Sequence, residues 1–196
     1  KYRIITHGNC TDGFCSAYIF KKYFYKVLGL KKDSKEIIDI PVIGAGPQEI
    51  QGDKIELTKY DIVLDLPRPK RDVFFWCDHH SSNKPDEGEV LPENYYWKIH
   101  PSNASLMLDL AKENGLKITK ELSEFKKVSE IMDGALYSKK DINTCFYPLK
   151  SYDNPSPFLR IHLLGDMFHT RDHNLNGVIF KTMLNNKQLC LSGGAK

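Results

Sequence analysis

Short apolar runs rich in β-branched and aromatic residues alternate with stretches of helical periodicity from residue 3 to about residue 137. No other feature of the sequence constrains the fold as strongly. Arg3-Ile4-Ile5-Thr6 reads as a buried strand, and Gly8 begins a turn after it. Phe14, Ala17, Phe20, Phe24, Val27 and Leu28 then recur at three- and four-residue steps, so residues 13–28 read as a helix stopped at Gly29. Glu36 to Ile43 reads as a second strand, with Gly44-Ala45-Gly46-Pro47 as an ordinary turn. No Gly-Lys-Ser/Thr follows those glycines, which argues against a phosphate loop. Tyr60 to Leu64, Asp72 to Trp76 and Tyr95 to Ile99 supply three more strands, and the polar stretch from Ser81 to Pro92 reads as a loop. Ser102 caps a helix bearing Ala104, Leu106, Leu108, Leu110 and Ala111 that ends at Asn114-Gly115. Thr119 caps another with Leu122, Phe125, Val128, Met132 and Ala135 on one face.

Strands alternating with helices predict an α/β fold: a mostly parallel five-stranded sheet with helices on both faces. After Tyr137 the texture changes. Pro148, Pro155 and Pro157 interrupt it, then Phe158 to Phe168 and Val178 to Leu184 read as helices. The expected division is therefore a sheet domain over 1–137 and a C-terminal helical extension over 138–196, too short for a full second domain. A length of 196 residues with 41% hydrophobic and 27% charged residues fits one soluble globular unit. No apolar run reaches the roughly 20 residues of a membrane span. The five cysteines are odd in number and contain no C-x-x-C pair, which points to an intracellular, cytoplasmic setting and neither a disulfide framework nor a zinc knuckle. A net charge of +3 tolerates a phosphorylated ligand without demanding one.

Chemistry-bearing residues recur at the ends of these elements. His7 and Asp12 lie in Thr6-His7-Gly8-Asn9-Cys10-Thr11-Asp12-Gly13, Asp65 follows Ile62-Val63-Leu64, His79 and His80 complete Trp76-Cys77-Asp78-His79-His80, and Asp133 sits within Ile131-Met132-Asp133-Gly134. Each has a plain structural alternative: Asp65 can cap a turn and Asp133-Gly134 can end a helix. Carboxylates beside apolar runs are costly to bury without a cation or hydrogen bonds, so their recurrence at successive element ends favours a shared site. Imidazole with carboxylate suits Mn²⁺, Fe²⁺ or Zn²⁺.

Four features occur in order: His7-x-Asn9-x-x-Asp12-Gly13-x-x-Ser16-Ala17, then Leu64-Asp65, then Asp78-His79-His80, then Asp133 within a helix. This order resembles the DHH phosphoesterase superfamily over roughly residues 2–137. That group includes RecJ-type single-strand exonucleases, nanoRNases, cyclic-dinucleotide phosphodiesterases and inorganic pyrophosphatases. The resemblance implies a five-stranded parallel core and a divalent-metal centre, two ions of Mn²⁺ by preference, with Mg²⁺ or Zn²⁺ as alternatives. It also implies roles: His7 on one metal, Asp12 on the other, Asp65 bridging, and His79 and Asp133 completing the second. His80 would face the substrate phosphate, and Asp78 would orient the histidine pair. Asp65, Asp78, His79 and His80 are then the catalytic set.

The family's first motif usually carries two Asp separated by one residue. Here the earlier position corresponds to Cys10, or to Asn9 or Thr11 if the loop is shifted. A neutral residue would remove a charge from the first metal site, whereas a thiolate would favour a softer ion such as Zn²⁺; a plain buried thiol is the third reading. Arg171 and His173 are candidate phosphate contacts, with His169, Arg160 and Lys181 nearby in sequence. Ser192-Gly193-Gly194 reads as a frayed end. Tyr95, Tyr96 and Trp97 are candidate stacking residues, although alternation along a strand puts at least one of them in the core.

The expected activity is metal-dependent hydrolysis of phosphodiester bonds in dinucleotides, short oligonucleotides or single-strand ends. Two other readings use the same cleft: a small-substrate phosphomonoesterase or pyrophosphatase, and a catalytically weak nucleotide-binding module.

Overall fold

Ile4 and Ile5, Ile62 to Leu64, and Phe75 to Cys77 are buried without polar alternation, as strands covered on both faces require. They belong to β1 (Arg3–His7), β3 (Asp61–Leu64) and β4 (Phe75–Asp78), which with β2 (Val42–Ala45) and β5 (Tyr95–Trp97) form one sheet in the order β2-β1-β3-β4-β5. Every pairing is parallel. The structure is a computed structural model and describes residues 1–139, apart from Asp33 and Leu116, together with Ile161, His162 and Gly165.

The helices are α1 (Thr11–Tyr23), α2 (Lys35–Ile38), α3 (Pro47–Gln51), α4 (Asn103–Glu113) and α5 (Lys120–Asp133). On one face of the sheet Phe14, Tyr18 and Phe20 of α1 pack with Met107 of α4 and Phe125 of α5 over Ile4, Ile62 and Phe75. Tyr18 and Phe125 stack with ring centroids 4.7 Å apart. On the other face Ile50 of α3, Leu57, Leu66 and Val73 cover Ile5, Val63 and Trp76, and the Trp76 indole donates to the Leu66 carbonyl at 2.9 Å. The α/β class and the parallel five-stranded sheet are as the sequence predicts.

The helix caps fall where the sequence puts them. Ser102 Oγ accepts from Ser105 N at 3.1 Å and Thr119 Oγ1 from Leu122 N at 3.4 Å. Several element bounds differ. Residues 36–43 are not one strand: Lys35–Ile38 forms α2, Pro41 breaks the chain, and β2 starts at Val42. Gly44 and Ala45 belong to β2, and Pro47 opens α3 instead of closing a turn, with the Glu49 carboxylate accepting from Gly46 N at 2.8 Å. The fourth strand starts at Phe75 and runs to Asp78. The fifth stops at Trp97, α1 gives way to a 3-10 turn at Phe24–Lys26, and Ala135 lies exposed beyond α5.

The C-terminal extension lies outside the described residues beyond Lys139, except for three positions. Ile161 is buried in the α1-side core, and Gly165 lies against Thr11, where an added Cβ would come within 2.7 Å of the hydroxyl.

Gly13 fixes how closely the start of α1 sits on β1. A Cβ there would lie 2.2 Å from the His7 carbonyl oxygen, and the Thr6 hydroxyl donates to the Gly13 carbonyl at 3.0 Å. Gly13→Ala should therefore push α1 off the strand end and lower stability by about 1–3 kcal/mol, the usual cost of overpacking. Urea unfolding measures it; an unchanged midpoint would mean that this approach is looser than described.

Candidate metal centre

In this strand order β1 neighbours β2 on one side and β3 on the other. Connections from β1 and β3 leave toward opposite faces, which opens a crevice at their carboxyl ends. His7 ends β1, Asp65 follows β3, and Asp78, His79 and His80 end β4 or follow it directly. Asp12 enters from the first turn of α1, and Asp133 is the last residue of α5. Asp65 has φ +55, a left-handed backbone that Asp tolerates better than most residues. It turns the chain sharply off the sheet while its N–H still bonds the Cys77 carbonyl at 2.9 Å.

The structure brings six sequence-predicted ligands and His80 into three overlapping groups: His7, Cys10 and Asp65; Asp65, His79 and His80; Asp12, His79 and Asp133. Within each group the donor atoms lie within 4.8 Å of one another. His79 is the hub. Its Nε2 is 3.5 Å from oxygens of Asp12, Asp65 and Asp133 alike, too long for a good hydrogen bond to any. On its other side Nδ1 is 2.8 Å from the His100 carbonyl, so Nδ1 donates there and Nε2 is the nitrogen that faces the carboxylates.

Three carboxylates here are buried, and their compensation differs. Asp12 accepts from Asn103 N at 2.7 Å and Ala104 N at 2.9 Å, N–H groups of the first turn of α4 that have no acceptor within the helix, and from the Ser129 hydroxyl. The positive end of a helix thus faces its charge. Asp78 accepts from Asn83 Nδ2 at 2.6 Å and pairs with His80 Nδ1 at 2.8 Å. It reaches only one of the two histidines; the other is oriented by the His100 carbonyl. Asp65 has less support: the Cys10 thiol donates to its Oδ2 at 3.8 Å, while its Oδ1 and the His79 Nε2 are buried polar atoms without a hydrogen-bond partner.

Burial and the neighbouring Asp12 hold the Asp65 carboxyl well above the usual range, opposed by His79 and His80. Burial, then Asp12, also raises Asp133. Burial alone would depress His79, but Asp65, Asp12 and the His100 carbonyl outweigh it and push it up to about 10. His80 is raised by its bond to Asp78. His7 is lowered by burial and by the facing His80.

A positive charge set among these groups would favour ionised Asp65 and Asp133 and a neutral His79. A cation bonded at about 2.0–2.2 Å holds its neighbouring ligand atoms about 3–3.5 Å apart, which matches the 3.5 Å separations around His79 Nε2. The residues fit a divalent metal.

Several supporting residues escape a sequence reading. His100 carries the carbonyl that orients His79, and its own ring is held by Ser105 Oγ at 2.6 Å and Asp109 Oδ2 at 2.9 Å. Its position just past a strand end was the available signal. Ser129 lies four residues after Phe125 and four before Asp133, a polar residue on the packed stripe of α5. Nothing local marks Asn103 or Asn83. Of the candidate stacking residues, Tyr95 is core, with its hydroxyl accepting from Val73 N, while the Trp97 indole donates to the His80 carbonyl at 2.9 Å. Arg160, His169, Arg171, His173, Lys181 and Ser192 to Gly194 lie outside the described residues.

No protein-family model matches the sequence, nor does any curated protein. The fold is similar over 98% of this chain to the solved structure of the pGpG-specific phosphodiesterase PggH from Vibrio cholerae, with a TM-score of 0.61 and 17% sequence identity. This chain spans 57% of that protein's length, and at that identity the likeness establishes the fold. Among the described residues no helix is long and apolar enough to cross a membrane.

Ser129→Ala should remove one donor from the buried Asp12 carboxylate and cost about 1.5–3 kcal/mol, the range for hydrogen bonds to charged groups. The urea midpoint should fall with an unchanged slope. An unaltered midpoint would show that Asp12 does not depend on Ser129.

Proposed function

We propose that this chain is a divalent-metal-dependent phosphoesterase that hydrolyses the phosphodiester bond of dinucleotides or short oligonucleotides. The observation that carries the reading is the pair of buried, unpartnered atoms Asp65 Oδ1 and His79 Nε2 at the centre of a carboxylate and imidazole cluster. The ordered likeness to DHH phosphoesterases supports it, as does a whole-chain fold similarity to a protein that acts on pGpG.

On this reading His7, Cys10 and Asp65 hold one cation, and Asp12, His79 and Asp133 hold another. Asp65 lies between them, with Oδ2 near His7 and Cys10 and Oδ1 near His79. Two such ions supply Lewis-acid stabilisation of the phosphoryl oxygens and acidify water at neutral pH. The chain's own part is positioning. The His100 carbonyl fixes the tautomer of His79. Asp78, itself steadied by Asn83, holds the Nδ1 proton of His80 and leaves its other nitrogen to meet a substrate phosphate. The start of α4 and Ser129 hold Asp12 in place. A cavity of about 230 Å³ bounded by Tyr96, Trp97, His100 and Leu106 lies beside the residues that bond the backs of the histidine pair, His100 to His79 and Trp97 to His80, and suits one base of a short substrate. A larger cavity of about 360 Å³ opens among Lys1, Tyr2 and Ile40, beyond the other end of β1 and away from the metal-competent groups.

The test is hydrolysis of pGpG, followed by chromatography of the products, with Mn²⁺ and after chelation. Turnover should require the metal, and Asp65→Ala should abolish it without unfolding the chain. An unchanged Asp65→Ala rate at saturating Mn²⁺ would overturn the shared-site assignment. His80→Ala should lower kcat by about 10²–10³-fold, as removal of a donor aimed at developing charge does, while metal content stays constant. If metal is lost in proportion to the rate, His80 is a ligand and its assigned role is wrong.

A further inference from the structure

We propose that the two halves of this centre are chemically unlike: a thiolate seat of His7, Cys10 and Asp65 that takes Zn²⁺, and a carboxylate and imidazole seat of Asp12, His79 and Asp133 that takes Mn²⁺. The resting centre is then heterometallic. The inference deepens the metal-dependent reading above and rests on it only for the presence of a cation site.

Cys10 Sγ lies 3.8 Å from Asp65 Oδ2, and His7 Nδ1 lies 3.7 Å from the same oxygen. The three donor atoms form a closed group within 4.8 Å. Cys10 is the residue before the first turn of α1, with extended backbone (φ −131, ψ 129). The thiol donates to Asp65 Oδ2 and the N–H groups of Asp12 and Gly13 approach the sulfur, while burial, then Asp65 and Asp12, hold the free thiol well above its usual range. The thiolate therefore forms only as a metal displaces the proton. Cys15 and Cys77 are fully buried and join none of the three groups, so Cys10 is the sulfur ligand among the described residues.

The second seat contains no sulfur. A thiolate selects softer ions, whereas carboxylate oxygens suit Mn²⁺ and Mg²⁺. Zn²⁺ outcompetes Mn²⁺ for most ligand sets, so Zn²⁺ supplied at one equivalent fills the sulfur seat first and leaves the oxygen-rich seat to Mn²⁺ in excess. On binding, the Cys10 S–H bond breaks and a sulfur–metal bond forms. The proton passes to solvent and the metal keeps its oxidation state.

Cobalt reports this directly. The full chain, stripped with a chelator, is titrated with Co²⁺ while the near-ultraviolet spectrum is recorded. A sulfur-to-cobalt charge-transfer band should grow to saturation at one equivalent and be absent in Cys10→Ser and Cys10→Asp, with circular dichroism checking that each variant is folded. Supplying one equivalent of Zn²⁺ with excess Mn²⁺ should leave one of each ion after desalting. Cys10→Asp under Mn²⁺ alone should bind two. Co²⁺ binding without the band, or a band that survives in Cys10→Ser, overturns the proposal.

If the variants fail to fold, peptide mapping of the wild type after iodoacetamide decides instead. Zn²⁺ should shield Cys10 from alkylation, and equal labelling with and without Zn²⁺ overturns it. None of these readouts uses turnover. A protein that shows the band but hydrolyses no phosphodiester refutes the proposed function alone, and metal-dependent hydrolysis without the band refutes this inference alone.

Discussion

Asp12, Asp65 and Asp78 are buried within one small cluster, and like charges so placed are intolerable unless each meets a positive partner. The structure provides for two of them from protein alone. Asp12 sits on the start of α4 with Ser129 added, and Asp78 is paired with His80 and Asn83. Asp65 remains: the Cys10 thiol donates to its Oδ2, but its Oδ1 faces His79 Nε2 at 3.5 Å without a hydrogen bond. The helices, caps and close approaches around it hold Asp65 and His79 where a cation would satisfy both.

The fold reaches this arrangement through topology first. A parallel sheet with β1 between β2 and β3 opens a crevice at its carboxyl edge, and every metal-competent side chain of the cluster but Asp133 comes from that edge or from the first turn beyond it. Backbone detail then sets the distances. Gly13 lets α1 sit against His7, and the left-handed Asp65 leaves its strand abruptly enough to face the crevice. α5 contributes twice on one stripe, with Ser129 below and Asp133 at its end. Each of these local features has a cost, and each lies within the cluster it serves.

The sequence was most legible where the signal was local. β1, β3, α4 and α5 follow from apolar runs, helical periodicity and the Ser102 and Thr119 caps, and the ligand residue types could be listed from strand ends. It misled where two local signals compete. Ile37, Ile38 and Ile40 have β-branched character, yet Pro41 divides the segment and the first half takes a helical turn. Gly46-Pro47 reads as a turn by composition, but Pro at the first helical position with Glu49 reaching back starts α3. Val73 and Phe74 continue an apolar run without joining β4. The electrostatic pairings were not legible at all. Asp12 finds its donors 91, 92 and 117 residues away, and His79 finds its orienting carbonyl 21 residues away. Residue type announces a metal-competent group, but only the packed chain shows which carboxylate oxygen is left without a hydrogen bond.

The most direct test of this account is anomalous diffraction from crystals grown with Mn²⁺ and collected on both sides of the manganese absorption edge. A difference peak should lie within coordination distance of His79 Nε2 and of carboxylate oxygens from Asp12, Asp65 and Asp133. No peak at that position, with His79 Nε2 hydrogen-bonded to one of those carboxylates instead, would contradict it.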